Sequence, residues 1–311
     1  MTTSAVDSRV RDGSWEVVWP GTYADGGSVL TAEQLGHAAV LASRGEGQPV
    51  EFGRPDPATG QRRRGLVAVA AGRLAARVWQ LPLIDDDDPA TGAQDWLHSD
   101  VAVRLPLPDV HHAGRVLHRH QLSFGAGDLT QTSSGLWITT PLRTLIDCRL
   151  LLTHEALVCA MDGALHRGLV SAQRLGAAAR RIERWRGAPA FRAAAAVADG
   201  RAESPGETLT RLVLAPVLPG LVPQVQLFDH AVRLVARFDL GDEELKLAVE
   251  FDGRRAHAGE PMVAKDRGRD LRTEPFGWTT ERVRWFEVRR QQEAVRRRVL
   301  SRAERLRSAR R

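Results

Sequence analysis

The chain has 311 residues, of which 43% are hydrophobic and 26% charged, with a formal net charge of +6. This is an ordinary globular composition, and the length favours two domains over one. The polar N-terminus lacks an apolar signal core and no run reaches the roughly 18 apolar residues of a membrane span, so the sequence predicts a cytoplasmic protein without membrane segments.

Positive charge is concentrated near the C-terminus, where the segment from Lys265 to Arg311 contains about 16 basic and 7 acidic residues. Arg is strongly favoured over Lys there, and a planar guanidinium group can donate two hydrogen bonds to one phosphate. Nucleic acid is therefore the expected partner. A solvated Arg-rich helix over Arg296 to Arg311 is the alternative explanation.

The first two thirds of the chain predict a mixed, mainly helical region. Gly13 to Tyr23 is a β-prone run closed by a Pro-Gly turn, and Gly65 to Leu83 is Ala-rich and predicted to be helical. The run Asp85 to Asp88 is predicted to be a solvated loop. Strands are expected from Asp100 to Leu105 and from Gly114 to His120.

Four histidines lie close together in this region: His111, His112, His118 and His120. Their number raises the question of a metal site. No carboxylate or cysteine stands at ligand spacing from them in the sequence, so a metal site is not favoured here.

A domain boundary is predicted after several packed helices. Thr140 and Pro141 fit the cap and first position of a helix, and helices are expected from Pro141 to Val197. The small and polar residues from Ala198 to Ser204 then separate two regions of periodic apolar residues. The sequence therefore predicts domains over residues 1–198 and 199–311.

The second domain is predicted to begin with a helix and a β-meander. Ser204 and Pro205 fit a helix cap and first position, and Glu207 can complete a capping box. The strands that follow are predicted at residues 224–228, 232–239 and 246–252.

Carboxylates share one face of the last of these strands. Alternation places Glu250 and Asp252 together, and Asp239 can join them if the preceding strand pairs alongside. Like charges at one place are costly unless a cation or a basic partner offsets them. Two explanations follow, a site for a hard divalent cation such as Mg²⁺ or a set of arginine-paired carboxylates on an edge strand.

Further candidate residues follow this strand. Gly253 permits a tight turn, and His257, a short loop away, could act as a general acid or base or bind a phosphate. Lys265 and Arg269 lie four apart on one face of a predicted helix, where they could contact phosphate or pair with the interleaved aspartates. Another strand is predicted from Gly277 to Glu287.

An ordered set of motifs covers about Ala202 to Leu300. It consists of Ser204-x-x-Glu207, Phe238-Asp239, Leu247-Ala-Val-Glu-Phe-Asp-Gly253, His257, Lys265-Asp-Arg-x-Arg-Asp270, Gly277-Trp278 and Val283-Arg284-Trp285. Together these motifs resemble the Vsr-like endonuclease-related domains of the PD-(D/E)XK superfamily.

That resemblance implies a restriction-endonuclease-like mixed sheet flanked by helices, so the expected fold class is α/β (α+β). It implies Asp239 and Glu250 as ligands of Mg²⁺ or Mn²⁺. The other implied catalytic residues are Glu207, Asp252, His257 and Lys265, and the residues expected to contact DNA are Lys265, Arg267, Arg269 and Arg284. The usual superfamily lysine, two positions after the acid, is replaced by Asp252, so proton transfer would need His257, Lys265 or a second metal.

Weaker motifs precede this region, namely Gly13-Ser-Trp…Pro-Gly-Thr-Tyr23, the Ala-rich segment ending near Leu83, Val101 to Leu105, and Ile138-Thr-Thr-Pro-Leu-Arg-Thr-Leu-Ile-Asp147. They resemble the abortive-infection (AbiEi) antitoxin-related proteins. Such proteins usually begin with a winged helix, but about a dozen residues before Gly13 are too few for its helices. DNA binding is then expected elsewhere in the chain, unless that module is truncated.

Two functions are compatible with these observations. The leading hypothesis is a metal-dependent DNA endonuclease that hydrolyses phosphodiester bonds in DNA repair or phage defence. The alternative is a non-catalytic, DNA-binding transcriptional regulator or antitoxin that retains a nuclease fold, with a toxin or phage-defence protein as its partner.

Overall fold

The computed structural model describes residues 3–43, 68–84, 97–103, 106–253 and 271–309, together with the backbone of residues 87–88 and 93–94. The chain divides into two compact units, the first formed by Met1–Ala160 and Leu169–Ala196 and the second by Met161–Gly168 and Val197–Arg311. The change of unit after Ala196 lies close to the boundary expected after residue 198. The short segment Met161–Gly168 belongs to the second unit, which a single linear boundary does not predict.

The first unit combines short helices with a mixed sheet. Its helices are α1 (Thr3–Arg11), α2 (Ala32–Ala42), α3 (Gly72–Val78), α4 (Pro141–Cys148), α5 (His154–His166, which ends in the second unit), α6 (Ala172–Arg181) and α7 (Ala188–Val197). Its strands are β1 (Trp15–Trp19), β2 (Thr22–Asp25), β3 (Ala68–Ala71), β4 (Asp87–Asp88), β5 (Ala93–Gln94), β6 (His98–Val103), β7 (Val110–His112), β8 (Arg115–Gln121), β9 (Leu129–Gln131) and β10 (Trp137–Thr139).

The main sheet of this unit has the strand order β7-β8-β6-β3-β10-β9. The pairs β6–β8 and β3–β10 are parallel, and the other neighbours are antiparallel. Strands β1 and β2 form a separate antiparallel hairpin, where the sequence predicts a β-prone run and a turn. A buried cluster beside α2 and α3 contains Leu35, Leu74, Val101, Leu117 and Ile138, so the helices cover an apolar face of the sheet.

Three predictions for this unit are wrong. Ala68–Ala71 is a strand rather than part of a helix, and its residues contribute to apolar clusters on both faces of the sheet. Such a fully buried run has no periodicity that distinguishes a strand from a helix. Asp87–Asp88 pairs with β5 instead of forming a loop, while Asp85 and Asp86 lie outside the described residues. Helix α4 begins where expected, but the Thr140 hydroxyl donates to the Gly127 carbonyl at 3.3 Å and makes no cap.

The second unit is built around the predicted mixed sheet. Its elements are α8 (Pro205–Leu214), β11 (Val222–Phe228), β12 (Leu234–Asp242), β13 (Leu247–Asp252), a 3₁₀ turn (Glu274–Phe276), β14 (Thr279–Arg284), α9 (Trp285–Arg290) and α10 (Gln292–Ala309). Strands β11, β12 and β13 form an antiparallel meander, and β14 pairs with β13 in parallel. Trp285 begins α9 and does not continue the strand that was predicted to reach Glu287.

Helix α8 packs closely on β13 because residue 206 is a glycine. A Cβ atom at Gly206 would lie 2.0 Å from Cε1 of Phe251, so no larger residue fits without movement. A separate cluster contains Phe238 stacked on Trp278, with ring centroids 4.5 Å apart. The first contact packs α8 against β13, and the second packs β12 against the residue that precedes β14. None of the helices in the described ranges has the length and apolar character that crossing a membrane requires.

We expect Gly206→Ala to destabilise the protein by about 1–3 kcal/mol, because the added methyl group overlaps the Phe251 ring and forces the core to shift. Urea unfolding followed by tryptophan fluorescence measures this change. The control is Gly176→Ala on α6, where the nearest atom to a new Cβ is Arg180 Nη1 at 3.8 Å. Alanine at this helical position should raise the free energy of unfolding by up to about 1 kcal/mol. Unchanged stability in Gly206→Ala would contradict the close packing.

Candidate functional site

The two predicted metal ligands meet on neighbouring strands. Strands β12 and β13 are antiparallel with Leu240 opposite Val249, so Asp239 and Glu250 are the next residues along the two strands. Oδ2 of Asp239 accepts a hydrogen bond from the Phe251 N–H at 2.8 Å. That amide belongs to the peptide unit that follows Glu250. The carboxylate of Asp239 therefore lies beside the backbone of Glu250.

The donor set of this pair suits a hard divalent cation. Glu250 is only 7% exposed, and Asp239 is partly buried. Within the described ranges, no group of three or more His, Cys, Asp or Glu side chains is arranged to hold a metal ion. The pair offers two carboxylates, and Mg²⁺ commonly binds one or two carboxylates together with water and phosphate oxygens.

Glu207 is bonded into the start of α8. The Ser204 hydroxyl accepts the Glu207 N–H at 3.2 Å and donates to Glu207 Oε1 at 2.8 Å. Glu207 Oε2 accepts the Glu203 N–H at 2.9 Å and Nε2 of Gln224 at 3.0 Å. The predicted cap at Ser204 is present, but Glu207 does not close the expected box onto the Ser204 amide. Its carboxylate instead joins α8 to β11.

Gln224 is a residue of this site that sequence reasoning missed. It lies opposite Asp239 in the ladder, because Pro223 pairs with Leu240 and Val225 with Phe238. Its φ of 59° is left-handed, which is uncommon for a residue other than glycine. Its Oε1 is buried, and no described group hydrogen-bonds to it. No signal in the sequence marks a glutamine for this position.

The remaining predicted site residues are distributed differently. Asp252 ends β13 and lies opposite Arg284 of the parallel strand β14. Arg284 is exposed, and its backbone N–H donates to Glu287 at 2.8 Å. His257, Lys265, Arg267 and Arg269 lie outside the described residues.

The Arg-rich C-terminal segment forms the packed helix α10. Val295, Val299 and Ala303 on this helix are fully buried. Arg296 donates to the Val213 carbonyl of α8 at 3.0 Å, and Arg302 lies 2.8 Å from Glu281 of β14. One side of this Arg-rich helix is therefore packed into the unit. The exposed arginines of α9 and α10 include Arg290, Arg297, Arg305 and Arg307.

Two histidines of the first unit have carboxylate partners that their sequence spacing does not reveal. Nδ1 of His118 lies 2.7 Å from Oδ2 of Asp109, and Nε2 of His120 lies 2.7 Å from Oδ1 of Asp100. Each of these two carboxylates thus pairs with a single histidine. Strand pairing brings the partners together, because β6, β7 and β8 are neighbours in the sheet.

Comparison with known proteins gives similarity over the whole chain but no activity. Two uncharacterized proteins, from two strains of Mycobacterium tuberculosis, are each 27% identical over 312 residues. The aligned region covers 99% of this chain and 100% of each relative, so both units are included. No family model matches the chain, and no solved structure matches it.

We expect Glu207→Ala to lower the free energy of unfolding by about 1–3 kcal/mol, because three hydrogen-bond donors lose their acceptor. Chemical denaturation measures this loss. The matched control is Glu203→Gln, which removes a partly exposed ion pair with Arg237 at 2.8 Å and should cost less than about 1 kcal/mol. If Glu207→Ala were as stable as the control variant, the structural role of Glu207 would be refuted.

Proposed function

We propose that the second unit is a Mg²⁺- or Mn²⁺-dependent endonuclease that hydrolyses phosphodiester bonds in DNA. The observation that carries this proposal is the hydrogen bond from the Phe251 N–H to Asp239, which holds one predicted ligand beside the other, Glu250. The mixed sheet with flanking helices agrees with the fold that the resemblance implies.

The residues present fit a hard divalent cation. Asp239 and Glu250 would hold it with oxygen ligands, and the buried Oε1 of Gln224, opposite Asp239, is an oxygen that a cation-bound water could satisfy. When bound, such an ion would neutralise charge on the phosphate and lower the pKa of an attacking water.

The protein itself contributes orientation and positive charge. The Phe251 amide orients the Asp239 carboxylate in advance, which reduces the ordering needed when a ligand binds. The exposed guanidinium groups of Arg284, Arg290, Arg297 and Arg305 are suited to phosphate contacts. The site and the basic residues belong to the same unit.

We expect Asp239→Asn and Glu250→Gln each to reduce Mg²⁺-dependent nicking of supercoiled plasmid by about 100-fold or more, because each removes one charged ligand. Glu244→Gln, at an exposed acid in the turn between β12 and β13, should retain full activity. All proteins are purified in parallel, and circular dichroism verifies their folding. Parent-like nicking by either site variant would overturn the proposal.

Direct metal binding gives a second readout of the same site. A saturating concentration of Mn²⁺, about 100 times its dissociation constant, should stabilise the parent by about 2.7 kcal/mol. Thermal unfolding with and without Mn²⁺ measures this effect. The stabilisation should disappear in Asp239→Asn and persist in Glu244→Gln, and equal stabilisation in all three proteins would place the ion elsewhere.

A second candidate function is a non-catalytic DNA-binding regulator or antitoxin with a nuclease fold. The hydrogen bonds of Glu207 favour it, because this predicted catalytic acid already accepts from Glu203, Ser204 and Gln224. DNA binding without nicking in the parent, unchanged in Asp239→Asn, would support this candidate over the endonuclease.

Both candidates require DNA contacts. Substitution of exposed arginines on α10 tests whether this helix provides them. Arg297→Gln and Arg305→Gln should weaken DNA binding, and each should reduce the salt dependence of the affinity by about one counterion. Arg302→Gln should instead act on stability, because Arg302 pairs with Glu281. Fluorescence anisotropy at several salt concentrations measures binding. If the two exposed variants bound DNA like the parent, this helix would not contribute to the interface.

A further inference from the structure

An exposed tryptophan lies in the turn between α6 and α7 of the first unit. Trp185 is 40% exposed, whereas a side chain of this size is usually buried for the most part. Its backbone N–H donates to the Ile182 carbonyl at 2.8 Å, and its carbonyl accepts from the Ala188 N–H at 3.0 Å. The turn therefore holds the backbone of this residue on both sides while the indole stays in contact with solvent.

Two arginines contact the ring from within the protein. The guanidinium carbon of Arg143 lies 5.7 Å from the Trp185 ring centroid and that of Arg149 lies 5.5 Å from it, both within the range of a cation–π contact. Arg143 is buried, and its Nε donates to Asp147 at 2.9 Å. Nε of Arg149 donates to the Arg186 carbonyl at 2.7 Å. The indole thus rests on cations that their own hydrogen bonds hold in place.

The segment around Trp185 has a large excess of positive charge. Between residues 174 and 192 the sequence has six arginines and one acidic residue, Glu183. All six arginines are exposed, namely Arg174, Arg180, Arg181, Arg184, Arg186 and Arg192. Within the described ranges, no carboxylate lies at ion-pair distance from Arg184 or Arg186, so nothing there neutralises their charge.

Arg181 extends this charge to the ring itself. Its Nη2 lies 3.8 Å from Oδ1 of Asp128, while Oδ2 of the same carboxylate accepts from Nη1 of Arg143 at 2.7 Å. Arg181 and Trp185 therefore both border the ion pair of Arg143 with Asp128. Because Asp128 is shared between two arginines, it does not fully balance the charge of Arg181. The exposed ring and the exposed cations form one surface.

An open aromatic ring beside unbalanced guanidinium groups fits single-stranded nucleic acid. Every base has a π face that can stack on an indole, and the phosphates on either side of it accept paired hydrogen bonds from arginine. A duplex offers the same phosphates but keeps the faces of its bases stacked inside. An acidic peptide would contact the arginines without needing the ring. The indole is thus the feature that selects a single strand.

We propose that Trp185, together with Arg181, Arg184 and Arg186, is a binding platform for single-stranded nucleic acid, with a base stacked on the indole and its neighbouring phosphates on the arginines. The contacts of Arg143 and Arg149 place the ring before a strand binds, which reduces the ordering that binding requires. The platform belongs to the first unit, so it does not rest on the endonuclease proposed for the second.

Fluorescence anisotropy of the full chain in EDTA, with labelled oligo(dT) of about 12 nucleotides, tests the platform. Trp185→Leu keeps an apolar side chain over the arginines but removes the π face. It should weaken binding of the single strand about tenfold or more and change binding of a duplex of equal length less than about twofold. Trp185→Phe should retain most of the affinity. Phe228→Ala, at an exposed aromatic residue of β11, should bind like the parent.

The arginines have a separate readout. Arg184→Gln should reduce the slope of log affinity against log salt by about 0.7 for the single strand, because one phosphate contact is lost. Arg11→Gln, at an exposed arginine that ends α1, should leave the slope unchanged. Oligo(dT) and oligo(rU) are measured in parallel, and the larger loss in Trp185→Leu identifies the strand that the platform prefers.

An abasic strand of the same length gives a result even if Trp185→Leu fails to fold. It keeps the phosphates but has no bases, so the parent should bind it about tenfold or more weakly than oligo(dT). Equal affinity for the two strands would leave only a polyanion-binding surface and would overturn the proposal. So would a loss in Trp185→Leu that is as large for the duplex as for the single strand. Neither result depends on whether the protein nicks plasmid.

Discussion

The hydrogen bond from the Phe251 amide to the Asp239 carboxylate is the constraint on which the second unit depends. In a regular antiparallel ladder a backbone carbonyl would accept from a strand N–H, but here a side chain of the neighbouring strand does so. The ladder between β12 and β13 accordingly stops at Leu240 and Val249. The Phe251 ring contacts the glycine at position 206 of α8 and meets Trp285 of α9 edge-on at 6.1 Å. One residue thus ties the carboxylate pair to two helices of the unit.

Buried acids in both units are arranged around arginines. In the first unit, Arg143 is 3% exposed and contacts Asp128 at 2.7 Å and Asp147 at 2.9 Å. Burial raises the pKa of Asp147 to about 6 despite this partner. In the second unit, Asp162 accepts from Arg211 and from Thr208, each at 2.8 Å. These pairs make the protein sensitive to loss of a single arginine, because removal of one partner leaves an uncompensated buried charge.

The sequence predicts the second unit better than the first for a physical reason. Strands β11 to β13 alternate in polarity and are separated by turns, so local patterns suffice to place Asp239, Glu250 and Asp252. Strand β3 is buried on both faces and carries no such pattern. The contact of His118 with His98 depends on the parallel pairing of β6 with β8. These strands are neighbours in the sheet but are separated in the sequence by β7, so local sequence does not encode their pairing. Gln224 was missed because its position depends on the register of β11.

Hydrolysis at the carboxylate pair would require that the attacking water lose a proton. Asp252 stands two positions after Glu250, where the superfamily that the sequence resembles usually has a lysine, and its neighbour in the parallel ladder is Arg284. A guanidinium group keeps its proton at all accessible pH values, so Arg284 can stabilise phosphate charge but cannot act as a base. Under the proposed function, Asp239 and Glu250 would hold a cation that lowers the pKa of the attacking water, so that a protein base would not be needed. The proposed activity would therefore depend more strictly on the metal than it does in nucleases that have this lysine.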